Sequence, residues 1–271
     1  MKNKINALAF LAFLATLCCS CRTYLTPAIL GNNMGYLARP MEADSIKSFT
    51  HISASYAGAA SPDNGRVTFE LGMLNINRGH TFKGFNIAYG AFAYLGKANN
   101  EYFDSSAINP LEDAPEFNKN LYGFGLRSSI GFHNMSSNGN TDFRFINWEN
   151  AISNEKGAYA DFREQVYNSR IYDDVAVSSR RVLWTTGLST EVIWRARRNH
   201  DIKHAFRFFV GGTLGLGDSF KYGKGRATNE KVKSSAGWSF SYFLYVKKFT
   251  LSLEAGNNLN LANKISLGYT L

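Results

Sequence analysis

From Ile46 to Leu271, apolar side chains fall on every second residue in one stretch after another. Few folds tolerate so strict a period over so much chain. Val67, Phe69, Leu71 and Met73 occupy odd positions, as do Phe85, Ile87, Tyr89, Ala91 and Ala93. The period then moves to even positions with Tyr122, Phe124, Leu126, Ile130 and Phe132. It returns in Trp184–Trp194, Phe206–Leu216, Ala236–Val246, Phe249–Ala255 and Ile265–Leu271. Weaker versions lie around Ile52, Ala54 and Tyr56 and around Phe143 and Phe145. Successive side chains of a strand point to opposite faces, so each stretch predicts a strand with one apolar and one small or polar face.

A soluble sandwich alternates too, but its strands usually stop at about five or six residues. Many of these stretches run to twelve or more, and a tilted membrane strand needs about 9–11. Phe, Tyr and Trp make up 14% of the chain and crowd onto the apolar faces, as the girdles of a membrane barrel require. The connections agree. Residues 78–81, 134–140, 196–202 and 247–248 form short turns. Residues 61–65, 96–119, 152–180, 217–232 and 257–262 form the opposite set, three of them long. Short turns inside and long loops outside are the usual asymmetry of such barrels. The predicted fold is an all-β, antiparallel, up-and-down transmembrane barrel over residues 46–271, with ten strands, or eight if the weak stretches fail.

The first residues read as an export signal. Lys2 and Lys4 precede an apolar run, Ile5 to Leu17, that is too short to cross about 30 Å of hydrocarbon. Leu17-Cys18-Cys19-Ser20-Cys21 follows and resembles a lipobox, with small Ser20 before the acylated cysteine. Residues 1–20 are therefore expected to be a lipoprotein signal peptide. Cys21 would carry a diacylglycerol and an N-acyl chain, and no other cofactor is expected. Residues 22–45 lack alternation and contain Pro27, Gly31, Gly35 and Pro40, so residues 21–45 are expected to form an extended lipidated tether. All three cysteines lie within Leu17–Cys21, which excludes a disulfide-held fold. The net charge of +9 is scattered without a dense basic run, which argues against nucleic acid. The expected partners are outer-membrane lipid and other outer-membrane or periplasmic proteins.

If the aromatic faces meet lipid, the opposite parity lines the lumen. It carries Ser, Thr and Gly with six charges at mid-strand: Glu70, Arg127, Arg144, Glu191, Arg207 and Glu254. His51 shares that parity. A barrel of this size has an interior just wide enough for side chains to fill. Equal numbers of acids and bases there predict a closed, ion-paired interior rather than a solute path.

No catalytic constellation emerges. An omptin-like protease needs a histidine at the outer rim, whereas His80, His133, His200 and His204 map near the short turns. No Gly-x-Ser-x-Gly elbow, metal-spaced His/Cys cluster or phosphate loop occurs. The outer loops are more distinctive, with acids at Glu101, Asp104, Glu112, Asp113 and Glu116 and a stretch from Tyr159 to Tyr167 suited to a helical turn or two.

The Cys-Arg-Thr-Tyr start, the Pro-containing stretch, Glu42 and the opening strand Ile52-Ser53-Ala54-Ser55-Tyr56-Ala57 resemble the layout of small outer-membrane β-barrel lipoproteins of Gram-negative bacteria. The resemblance implies location and fold and brings no catalytic residues. The function expected from these features is a non-enzymatic structural or accessory subunit of an envelope complex, with loops for binding. A narrow solute channel is the alternative, and a lipid-modifying barrel enzyme the more remote one.

Overall fold

The computed structural model describes residues 23–40, 47–62, 67–101, 116–172, 175–196, 199, 201–223 and 236–271. Residues 1–20, Cys21, the acidic positions Asp104, Glu112 and Asp113, and His200 lie outside them. The strands are β1 (Thr23–Leu25), β2 (Lys47–Ala60), β3 (Val67–Thr81), β4 (Phe85–Asn100), β5 (Phe117–Met135), β6 (Thr141–Lys156), β7 (Val175–Ser178), β8 (Val182–Arg195), β9 (Ile202–Thr213), β10 (Phe220–Tyr222), β11 (Gly237–Val246), β12 (Phe249–Asn258) and β13 (Asn260–Thr270). One helix, α1 (Ala158–Ser169), follows β6.

Ten of these strands close into a barrel in chain order, all neighbours antiparallel, and β13 seals the wall against β2. The sides of the turns follow the expected asymmetry, although strands run further into the loops than the alternation suggested. Residues 78–81 belong to β3 rather than to a turn, and the 257–262 loop is reduced to Leu259 between β12 and β13. The outside is apolar over most of its height: Leu95, Leu126, Phe132, Phe249 and Leu267 are more than 60% exposed. So large an exposed apolar band requires lipid around it. Phe143 and Phe145, Trp194 and Phe206, and Phe249 and Tyr269 are adjacent ring pairs toward the short-turn end. Tyr122, Phe124, Trp184 and Trp238 are exposed toward the other end.

Beyond the long-loop end, β7 and β10 from two loops form a small sheet with β1, in the order β1-β7-β10, and α1 packs beside it. The helix falls on the predicted stretch. It ends where Arg170 turns left-handed (φ 50°) and donates its backbone N–H to the Val166 carbonyl.

Residues 23–40 depart from the tether expected of them. They enter through this loop sheet and thread the barrel to its short-turn end; all are buried except Tyr24 and Gly31, which are partly so. The wall's inner face changes character to match. In the upper half, Leu25, Ile29 and Leu30 pack with Val67, Phe69, Leu71 and Met73 of β3 in one apolar cluster. The odd positions of β3 therefore face inward, opposite to expectation, and Leu74 and Ile76 face lipid.

Candidate functional site

The lumen holds the unusual chemistry, and it is built from the threaded segment as much as from the wall. At the top, Thr26 donates its hydroxyl to Asn260 Oδ1 (2.8 Å), and Asn260 Nδ2 donates to the Pro27 carbonyl (3.1 Å). The Ala28 amide donates to Glu155 (2.7 Å), whose other oxygen takes Arg163 of α1 at 2.6 Å. The Tyr159 hydroxyl donates to the Thr26 carbonyl (2.9 Å), and burial pushes its pKa far above the ordinary value. One buried ion pair and one tyrosine thus tie the loop helix to the thread. Near the surface, Arg181 bridges Glu164 (2.6 Å) and Asp161 (2.7 Å) of the helix.

The chain then turns through Gly31 at φ 84°. A Cβ there would stand 2.6 Å from Ala262 Cβ and 2.7 Å from the Asn260 carbonyl, so glycine is needed for conformation and for room. Below the turn Arg127 reaches from β5. Its Nε donates to the Asn33 carbonyl (2.7 Å), its Nη2 to the Asn32 carbonyl (3.1 Å) and its Nη1 to Asn75 (3.0 Å). A guanidinium supplies five donors in a fixed fork, and here it clamps thread backbone to wall.

The charges concentrate in the lower half. Glu254 accepts the Tyr36 amide (2.9 Å) and pairs with Lys264 (3.0 Å). The Tyr36 hydroxyl donates to Glu191. Glu191 also takes Arg144 at 3.1 Å and Arg39 at 3.8 Å. Arg39, from the thread, donates to Asn86 (2.7 Å), Asn147 (2.8 Å) and Ser129 (3.0 Å) and lies 3.5 Å from Glu149. Glu149 is held by Arg207 through both its oxygens. At the exit Arg144 donates to the Pro40 carbonyl (2.8 Å), as does Thr81 (2.7 Å). Gly79 lets the wall come close here: a Cβ would be 2.7 Å from the Ala38 carbonyl.

Among the residues singled out from sequence, Arg127, Arg144, Glu191, Arg207 and Glu254 meet in this lumen. His51 is there too, bonded to Asn77 (3.2 Å) and Thr250 (2.9 Å). Glu70 does not join them. It lies on the exposed outer side of β3, because the inner positions of that strand's upper half are taken by apolar packing against the thread. The sequence reading missed Glu149, Arg39, Tyr36 and Lys264. A bulge explains Glu149: the β6–β8 register shifts between Arg144 and Asn147, so parity changes, Trp148 faces lipid and Glu149 faces inward. Arg39 and Tyr36 lie in the segment taken for a tether. Their signal was compositional, since residues 23–40 hold a single charge and many apolar side chains, which a solvated linker does not need.

An acid–histidine pair, His133 with Asp142 (2.8 Å), sits near the short turns. Its Nε2 is bonded to the Phe82 carbonyl (2.8 Å), so both ring nitrogens are engaged in structural bonds. Among the described residues no group of three or more metal-ligating side chains converges.

No family model matches this chain, and neither does any curated protein. Solved structures match at low similarity. The transport unit of the autotransporter AIDA-I from Escherichia coli is 8% identical over 88% of this chain and 93% of its own, with a TM-score of 0.41. The COG4313 outer membrane channel from Pseudomonas putida F1 is 8% identical over 88% and 98%, with a TM-score of 0.40. The outer membrane protein OprG from Pseudomonas aeruginosa is 7% identical over 85% and 99%, at 0.35. At such scores none of their activities is carried over to this chain.

Proposed function

We propose that this protein is a closed outer-membrane barrel lipoprotein, acylated at Cys21, which serves as a non-enzymatic structural or accessory subunit of the cell envelope and offers its loop cap to partners. The observation behind this reading is the threaded segment. Residues 25–40, all buried but the partly buried Gly31, lie inside the wall and are bonded to it from Asn260 at the top to Thr81 at the bottom. A lumen so filled leaves the loop cap, with α1 and the three-stranded sheet, as the part available to other molecules. Exposed loops on a rigid scaffold are where binding concentrates.

Planar-bilayer conductance tests the closed state. The intact protein is expected to be silent. A variant lacking residues 26–38, with heat-shifted gel mobility as the check on folding, is expected to conduct. Steady, unitary conductance from the intact protein would overturn the closed reading and favour a solute channel.

A further inference from the structure

The direction of the thread decides on which side of the membrane the chain emerges before Thr23. Its contacts order it along the barrel axis without reversal. Thr23, Tyr24 and Leu25 pair in parallel with Val175, Ala176 and Val177, in the long loop between β6 and β8. Thr26 and Pro27 bond to Asn260, where β13 begins at the same end. Asn32 and Asn33 meet Arg127 at mid-strand, and Tyr36 meets Glu254 and Glu191 below it. Pro40 meets Thr81, at the short-turn end of β3, and the chain continues into β2. The segment therefore crosses the full barrel height before the wall begins.

We infer that the acylated Cys21 sits at the long-loop mouth, so that its acyl chains enter the leaflet bordering those loops, the outer leaflet, and the protein is anchored from the cell surface. This rests on acylation at Cys21, as proposed above. Cys21 is two residues from Thr23, and two residues span at most about 7 Å, which is far short of the roughly 30 Å hydrocarbon core. An anchor in the periplasmic leaflet would require residues 23–40 to leave the lumen. That would strip Arg127, Glu191 and Glu254 of thread contacts, and Arg39 of its wall contacts, that are buried and charge-assisted.

Two full-length variants test this in cells grown with a clickable palmitate analogue. One carries a site-specific protease sequence between Arg22 and Thr23, the other carries it between Pro40 and Lys47, and both are first checked for heat-shifted mobility. Added to intact cells, the protease is expected to remove the lipid label from the barrel band of the first variant and to spare the second. The second should be cut only after the outer membrane is permeabilised. Cleavage of the first variant only after permeabilisation, or of the second in intact cells, overturns the inference. If the first insertion prevents folding, full-length Arg22→Cys takes its place: labelling by a membrane-impermeant maleimide on intact cells is expected, and labelling only after permeabilisation overturns the inference. A wild-type band that takes no more label than Cys21→Ala overturns acylation, and the inference with it; retained label with the opposite cleavage pattern overturns the inference alone.

Discussion

Glu149 shows how much one buried acid controls in this lumen. It is 2% exposed, it chelates Arg207, and it lies 3.5 Å from the thread's Arg39. Breaking a buried ion pair by removing one partner costs about 3–5 kcal/mol, because the remaining charge is left uncompensated. Glu149→Gln keeps the volume and removes the charge, so urea unfolding in detergent micelles is expected to show a loss of that order. Glu70→Gln, on the exposed outer face, is expected to stay within about 0.5 kcal/mol of wild type. The contrast marks where alternation was readable and where it was not. Arg127, Glu191, Arg207 and Glu254 stood on the correct parity because their strands are regular around them, and Arg144 because it precedes the β6 bulge. Glu149 was hidden by a bulge that no periodicity displays. Glu70 was placed inward because β3 carries two apolar sets of opposite parity, one for the thread and one for lipid.

Among the elements, the ten wall strands and the sides of their turns were legible, since each must satisfy lipid on one face. The helix was legible as a patch of helix-forming sequence within a loop. The thread was not, because its burial comes from a wall contributed by distant residues rather than from a period of its own. Two glycine-related positions test how tightly such elements are specified. Gly31→Ala forces a Cβ into Ala262 and a side chain into φ 84°, a conformation costing an L-residue about 1–2 kcal/mol. Its unfolding midpoint should fall, and some conductance should appear as the thread loosens. Lys247 holds φ 57° in the two-residue turn between β11 and β12 and is exposed. Lys247→Gly relieves that strain, offset in part by glycine's extra chain entropy of about 0.5–1 kcal/mol. A small rise in midpoint is expected in the same assay.

For the whole molecule, wall and lipid are separate means of holding to the membrane. The exposed apolar belt is continuous around the closed cylinder, so Cys21→Ala is expected to remain in the membrane fraction after carbonate extraction and to run as a compact band that shifts on boiling. Release of that variant into the soluble periplasm would mean that the belt is insufficient. The closed cylinder also has a consequence for assembly. The wall is sealed by β2 and β13, and the thread immediately precedes β2 and runs back up the axis. Pushing an 18-residue stretch with a buried arginine and tyrosine into a finished cylinder would mean dragging Arg39, Tyr36 and a peptide backbone past an already paired interior. The economical order is the reverse. The leading stretch lies along the concave face of an open sheet, its partners gather around it, and the last strand zips onto the first with the core already inside. Such a barrel is moulded on its own beginning, and the machinery that closes it has to accept an occupied sheet.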